Sequence, residues 1–212
     1  MNPDISFFGT VFASFFAIMN PLANTPIFLG LTDGMDSRTT RKLALNALVL
    51  TLIIVSVFAL LGNTILSFFG ITIYAFKVAG GVLVGLVGYN LLHGNHSSVH
   101  KPNDKHLEQS PDSVLGMAVS PLAMPILAGP GTLVTGMNYA ASGNQKDLLM
   151  VIAAFFLVCL MTFVCFIGGK TITKFLGQNF IMVISRIMGL ILAVIGTQML
   201  IDGIRAAISA SK

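Results

Sequence analysis

Six long apolar runs alternate with shorter polar segments along this chain of 212 residues. The runs cover residues 5–31, 43–69, 71–92, 114–137, 148–168 and 181–204. A helix needs about 20 predominantly apolar residues to cross roughly 30 Å of hydrocarbon, and each run has about that length. The pattern predicts an all-α, polytopic membrane protein with six transmembrane helices.

One polar segment, residues 93–113, is longer than the others and contains almost nothing apolar. Such a composition is typical of a solvated loop. It separates a first three-helix unit, residues 1–92, from a second, residues 114–212. We interpret the two units as parts of one integral membrane domain.

Three blocks of sequence recur in the same order in the two units. Residues 21–23 (Pro-Leu-Ala) return at 121–123, residues 62–70 share Gly, Thr, Ile, Phe and Gly with 169–177, and residues 77–94 align with 186–203 at a constant offset. Because three spans are an odd number, a second copy enters the membrane from the opposite side. The sequence therefore predicts two inverted repeats, an arrangement found in many transporters.

Proline interrupts the first run of each unit. Pro21 and Pro26 stand five residues apart after about fifteen uninterrupted apolar residues. Proline lacks the backbone donor and clashes with the preceding turn, so we expect that the turn between them unwinds. Asn24 or Thr25 would then cap a new half-helix that begins at Pro26.

The second unit repeats this design. Pro121 and Pro125 are followed by Gly129-Pro130-Gly131-Thr132, in which Pro130 suits the first position of a helix. Non-helical backbone persists at membrane depth only where it lines a cavity or is buried in protein. Two such segments at corresponding positions indicate discontinuous first helices around a shared central binding site.

Half-helix N-termini favour a carboxylate, and unwound carbonyl groups favour an ammonium group or a small cation. A small zwitterion matches both. The middle of all six runs contains no Asp, Glu, Lys, Arg or His. This absence argues against a proton relay through carboxylates and against strongly charged substrates.

Composition and charge support the same interpretation. Charged residues make up 9% of the chain, against about 25% in soluble domains, which excludes a water-soluble protein. The net charge of +4 comes from Lys and Arg scattered at the ends of the runs, which predicts headgroup contacts and no nucleic-acid partner.

The positions of Lys and Arg also predict the orientation in the membrane. We expect both termini outside, because eight of the twelve basic residues then fall on the inside. Asp4 stands where a signal peptide would be basic, so we expect the first run to be retained.

Side chains that could support metal or catalytic chemistry are poorly placed. Cys159 and Cys165 lie six residues apart in one apolar run, as packing residues do. All four histidines lie at or in the polar loop, away from any buried nucleophile. We predict no metal site, no cofactor and no enzymatic activity.

The motifs at residues 20–28, 121–125 and 128–132, with residues 76–81 and 185–190, resemble those of the MarC family of bacterial inner-membrane proteins over essentially the whole chain. The resemblance implies six spans in inverted halves and transport of small neutral amino acids such as glycine and alanine. By position it implies substrate-binding residues in the two breaks, namely Asn20, Pro21, Asn24, Thr25, Ser120, Gly129, Gly131 and Thr132.

Other functions are compatible with the same residues. A passive channel or facilitator, an exporter of another small solute, and a non-transporting membrane subunit all remain open. A stripe of small residues, Gly81, Gly85 and Gly88, permits close helix packing, which we assign to the interior of the protein. The coupling ion, a proton or sodium, and the oligomeric state are also open.

Overall fold

Seven helices form the part of the chain that the computed structural model describes, residues 3–93, 127–141 and 144–210. They are α1 (Pro3–Met19), α2 (Pro21–Leu31), α3 (Ser37–Phe68), α4 (Ile73–Leu92), α5 (Pro130–Ala140), α6 (Gln145–Ile167) and α7 (Gly169–Ala210). Gly177 interrupts α7 with φ 73° and ψ 156°. No strand occurs in these ranges, so the predicted all-α class is confirmed.

Five segments of this part are long and apolar enough to cross a membrane. They are Pro3–Leu31, Ser37–Phe68, Ile73–Leu92, Gln145–Ile167 and Asn179–Ala210. Large apolar side chains along them are exposed, as lipid-facing side chains are. The polytopic membrane protein is thereby confirmed. The predicted run at 114–137 is described only from residue 127 and the loop only at His93, so the count of six spans stays a prediction.

Polar side chains start the long helices. The Asp36 carboxylate accepts from the backbone N–H groups of Arg38 and Thr39 at 3.0 and 3.1 Å, at the start of α3. Thr72 caps α4 and Asn144 caps α6 in the same way. Each cap satisfies a donor that the first turn leaves without a helical partner. The helix starts are therefore set by local side-chain caps at or near the ends of the apolar runs.

Helices α4 and α7 pack antiparallel with their backbones almost in contact. A Cβ at Gly81 would lie 2.6 Å from the Gly196 carbonyl oxygen, and a Cβ at Gly88 would lie 2.7 Å from that of Gly189. Nearer the start of α4, a Cβ at Gly203 would lie 3.0 Å from the Tyr74 carbonyl oxygen. Only residues without a side chain permit such an approach. Gly81 and Gly88 of the predicted stripe thus lie inside the protein.

The two halves share several details of construction. Helices α2 and α5 both contain 11 residues and both begin with proline. Gly70, after α3, and Gly177, within α7, both have positive φ, 65° and 73°. These positions fall in the two sequence blocks that share Gly, Thr, Ile, Phe and Gly. The short helices stand at equivalent places in the chain, α2 directly before α3 and α5 directly before α6.

Aromatic stacking holds the first broken span against α6. The rings of Phe28 and Phe166 lie parallel with centroids 4.3 Å apart, and those of Phe15 and Phe155 lie 4.7 Å apart. All four side chains are buried. Both parts of the break, α1 and α2, are therefore anchored to the same neighbour, which fixes their relative position.

One face of the protein, here called the N-terminal face, carries the starts of α1 and α6. Lys146 donates to the Asp4 carboxylate at 2.7 Å across these two helix starts. A cavity at this face is lined by Ile5 of α1, Tyr139 of α5 and Asp202 of α7. The start of α1 and the end of α7 therefore lie on the same side.

Candidate functional site

The break in the first span is a single residue, Asn20, between α1 and α2. Asn20 has φ 37° and ψ 70°, the only positive φ of a non-glycine residue in the described part. Proline at the next position disfavours α conformation for Asn20 and has no N–H to continue the ladder of α1. Asparagine tolerates the left-handed region better than other side chains, yet the conformation still costs about 1 kcal/mol or more.

This geometry corrects the predicted position of the cap. Helix α2 begins at Pro21 and carries Pro26 in its interior, whereas the sequence indicated an unwound turn between the two prolines. Asn20, and not Asn24 or Thr25, is the N-cap. The turn stays helical because proline is tolerated in a first turn, and because side-chain donors replace part of the missing backbone pairing.

Two side chains satisfy carbonyl groups at the break. Asn24 Nδ2 donates to the Met19 carbonyl oxygen at 2.6 Å, and Thr25 Oγ1 donates to that of Pro21 at 2.7 Å. Both bonds remain within the broken segment. Asn24 and Thr25 therefore stabilise the break, and Thr25 uses its only proton in doing so.

Asn20 itself is incompletely paired. Its Oδ1 accepts from the Ala23 backbone N–H at 3.3 Å, which fixes the orientation of the amide because that N–H can only donate. Its Nδ2 group is buried with no partner, and the residue is 3% exposed. Leaving such a donor unsatisfied costs about 1–3 kcal/mol. A strained, buried residue with a free donor is what a binding site for an acceptor requires.

The start of α5 provides a second set of donors. Gly129 is the N-cap and has no side chain to accept a hydrogen bond, and Pro130 occupies the first position. The Leu133 N–H bonds back to the Gly129 carbonyl at 3.1 Å. Thr132 Oγ1 donates to the Leu127 carbonyl at 3.1 Å and is buried. The backbone N–H groups of Gly131 and Thr132 are thus left without a side-chain cap, at the positive end of the helix dipole.

The start of α5 lies against the end of α1, just before the break. A Cβ at Gly131 would lie 3.8 Å from Ile18 Cγ2, two residues before Asn20, and 3.7 Å from Val84 Cγ2 on α4. The first turn of α5 therefore packs on the last turn of α1. The break at Asn20 and the uncapped N-terminus of α5 border the same buried region.

No Asp, Glu, Lys, Arg or His is buried in the described residues; the buried polar side chains are Ser, Thr and Asn. These residues also contain no cluster of three or more potential metal ligands. The electrostatics of the site come from helix termini and amide dipoles. Such a site matches a ligand whose own charges cancel.

Seven of the eight predicted site residues lie at these two helix starts. Asn20, Pro21, Asn24 and Thr25 belong to the first, and Gly129, Gly131 and Thr132 belong to the second. Ser120 lies outside the described residues.

Two further buried hydroxyls were not predicted. Thr51 on α3 and Thr135 on α5 are fully buried, and their Oγ1 atoms have no partner. They flank the contact between these helices, where a Cβ at Gly136 would lie 3.4 Å from Val55 Cγ1. Sequence gives no signal for them because threonine in a helix usually bonds to its own carbonyl ladder, as Thr162 does.

These features define the class of the protein as a polytopic helical membrane protein whose first span is broken at Asn20. The chain belongs to the MarC family: the model of the "MarC family integral membrane protein" matches residues 5–208. The predicted family is thereby confirmed.

Relatives in distant organisms match over nearly their full length. The UPF0056 membrane protein YvbG of Bacillus subtilis is 38% identical over 94% of this chain and 95% of its own. A UPF0056 membrane protein of Methanocaldococcus jannaschii is 34% identical over 97% of this chain and 99% of its own. A UPF0056 membrane protein of Aquifex aeolicus is 35% identical over 93% of this chain and 92% of its own. No solved structure matches the chain significantly.

Proposed function

We propose that this protein transports small neutral amino acids, such as glycine and alanine, by alternating access at the meeting point of α1, α2 and α5. The observation that carries the proposal is the buried, unpartnered Nδ2 group of Asn20, together with the uncapped start of α5, which packs on Ile18 two residues before it. Together these groups offer several donors and a positive dipole end to one carboxylate. The absence of a buried side-chain charge in the described residues favours a zwitterion over an anion.

The likeness of the two halves supports this mechanism. We propose that they are inverted repeats, each with a half-helix of 11 residues that begins with proline. The glycine contact of α4 with α7 joins the third spans of both halves along their length. One half rocking against the other around a central site is the usual motion of inverted-repeat transporters.

Uptake of radiolabelled glycine and alanine by purified protein in liposomes tests the proposal. We expect Asn20→Ala to lower uptake about 10- to 100-fold, because a hydrogen bond to a charged group contributes about 1.5–3 kcal/mol. Asn63→Ala is the matched control, because Asn63 is exposed near the end of α3. No uptake of any neutral amino acid by the unaltered protein overturns the proposal.

Substitutions at Gly131 test the second helix start. A Cβ there makes only ordinary contacts, so Gly131→Ala should retain activity, whereas Gly131→Leu should fill the junction and abolish uptake. Gly30→Leu is the control, since Gly30 faces open space on α2. Full activity of Gly131→Leu would show that the substrate does not pass this position.

A passive facilitator or an exporter differs from a coupled importer in the direction and driving force of flux. Uptake measured with imposed proton or sodium gradients separates them, because a facilitator only equilibrates its substrate. Accumulation above the external concentration under one gradient identifies the coupling ion, and equal final concentrations identify facilitation.

We further propose that the protein lies in the bacterial inner membrane with both termini outside, since this orientation places eight of the twelve basic residues inside. In a background of Cys159→Ala and Cys165→Ala, Lys146→Cys at the N-terminal face should react with an impermeant maleimide in intact cells. Asp33→Cys, in the turn after α2, should react only after permeabilisation. The reverse pattern would invert the topology.

A further inference from the structure

A cavity of about 720 Å³ opens at the N-terminal face between α1, α5 and α7. None of the seven predicted site residues that the structure describes lines it. Its described wall combines apolar side chains with polar ones, including Ser6, Thr10, Ser14, Tyr139 and Asp202. A half-enclosed space of this size is large enough to hold a hydrated small molecule.

The inner end of the cavity is closed by apolar packing. Ile195 and Met199 line the cavity and also pack with Ala17, Val134 and Leu192 in a buried apolar cluster. Ser14, also in the wall, precedes Asn20 by six residues, which corresponds to about 9 Å along the axis of a helix. One glycine molecule cannot reach both places at once. The cavity and the break are therefore two separate places and not one binding site.

Asp202 carries the only charge among the described residues that line this cavity. Gln198 Nε2 donates to Asp202 Oδ1 at 3.0 Å, which orients the carboxylate and leaves its second oxygen free to accept. Arg205, about one turn further on, is not part of the wall. Asp202 is itself exposed, and a single carboxylate beside largely apolar walls attracts cations.

The opposite wall supplies neutral acceptors. Thr10 and Ser14 donate their hydroxyl protons to the carbonyl oxygens of Ser6 and Thr10, at 2.9 and 2.8 Å. Because the Ser14 proton is used in this way, the Tyr139 hydroxyl is the donor in their 2.9 Å contact. The Thr10 and Tyr139 oxygens keep lone pairs. A carboxylate faced by hydroxyl oxygens is suited to an ammonium group or a small metal cation.

We propose that this cavity is an outer binding site for a small monovalent cation, with Asp202 as its countercharge. The inference rests on the proposed function in that the site lies on the path to the break. The cation is either the ammonium group of the substrate or a coupling sodium ion. Both sources present the same chemistry to Asp202.

Tyrosine fluorescence can report binding without transport. The protein contains no tryptophan and three tyrosines, so in a Tyr74→Phe/Tyr89→Phe background all tyrosine emission comes from Tyr139. The purified protein in detergent is titrated with methylammonium chloride, glycine or sodium chloride, with choline chloride holding ionic strength constant. We expect a saturable change in emission that requires about tenfold or more ligand in Asp202→Asn and is unchanged in Asp4→Asn.

The ligands that produce a response identify which cation the cavity binds. Responses to methylammonium and glycine assign the site to the substrate ammonium group, and a response to sodium alone assigns it to the coupling ion. No saturable response, or equal responses in the parent and in Asp202→Asn, overturns the proposal.

Transport provides the second measurement. In liposomes Asp202→Asn should raise the KM for glycine, or the sodium concentration for half-maximal uptake, about tenfold with little change in kcat. If the unaltered protein takes up no amino acid, the proposed function fails, and the titration still decides whether the cavity binds a cation.

Discussion

The contact of α4 with α7 gives a quantitative prediction for two glycines on facing helices, Gly85 of α4 and Gly196 of α7. A Cβ at Gly196 would lie 2.5 Å from the Gly85 backbone nitrogen and 2.6 Å from the Gly81 carbonyl oxygen. Neither backbone atom can rotate away. A Cβ at Gly85 would meet nothing within 4 Å. Gly196→Ala and Gly85→Ala thus add the same methyl group to the same helix pair, one inside the contact and one outside.

The expected energies follow from these distances. Gly196→Ala requires the helices to separate by about 1 Å, and overpacking of this kind costs about 1–3 kcal/mol. Both variants gain up to about 1 kcal/mol of helix propensity. We therefore expect Gly196→Ala to be less stable than Gly85→Ala by about 2 kcal/mol. At about 2–4 °C per kcal/mol for a chain of this size, the difference in Tm is roughly 4–8 °C.

Circular dichroism at the helix band, recorded during thermal unfolding in detergent, measures this difference. The comparison of two variants cancels the effect of the detergent on absolute stability. Equal Tm values, or a higher Tm for Gly196→Ala, would refute the backbone contact between α4 and α7.

Three further predictions concern stability. The Thr39 hydroxyl and backbone N–H donate to Asp36 and lower the pKa of its carboxyl below the ordinary 3.8, so its stabilising effect is complete above about pH 4 and is lost as pH falls through the lowered pKa. Asp36→Ala should therefore reduce Tm at pH 7, and this reduction should become smaller as the pH falls below about 4. Lys146→Ala removes an exposed ion pair with Asp4 and should change the free energy of unfolding by less than about 1 kcal/mol, measured in urea. Thr135→Val removes a buried hydroxyl without a partner, so it should raise stability by about 1 kcal/mol while lowering glycine uptake; unchanged uptake would exclude Thr135 from the site.

Most of the described fold and the position of the first break were predictable from apolar runs and prolines. The length of an apolar run identifies a membrane-spanning segment, because the hydrocarbon core accepts few polar residues. Proline marks the breaks because it cannot continue a hydrogen-bond ladder. The position of Gly129-Pro130 at the start of α5 was also predicted, since glycine and proline both favour a helix start there.

The details of the first break were not predictable. Two prolines five residues apart indicated an unwound turn, but Asn24 and Thr25 donate to carbonyl groups of the break and Pro26 remains inside α2. Which carbonyl a side chain reaches depends on backbone geometry that a residue pattern does not contain.

The sequence by itself determined the class of protein, its apolar spans, the proline breaks and the lack of charge in their middle, because these depend on composition and local spacing. Only the tertiary structure decided that the start of α5 packs on the end of α1, that Asn20 keeps a free donor, and that Asp202 lines a cavity with Tyr139. These features arise where helices distant in sequence pack together. Their distances depend on glycines that let backbones approach, and no single run of residues specifies that approach.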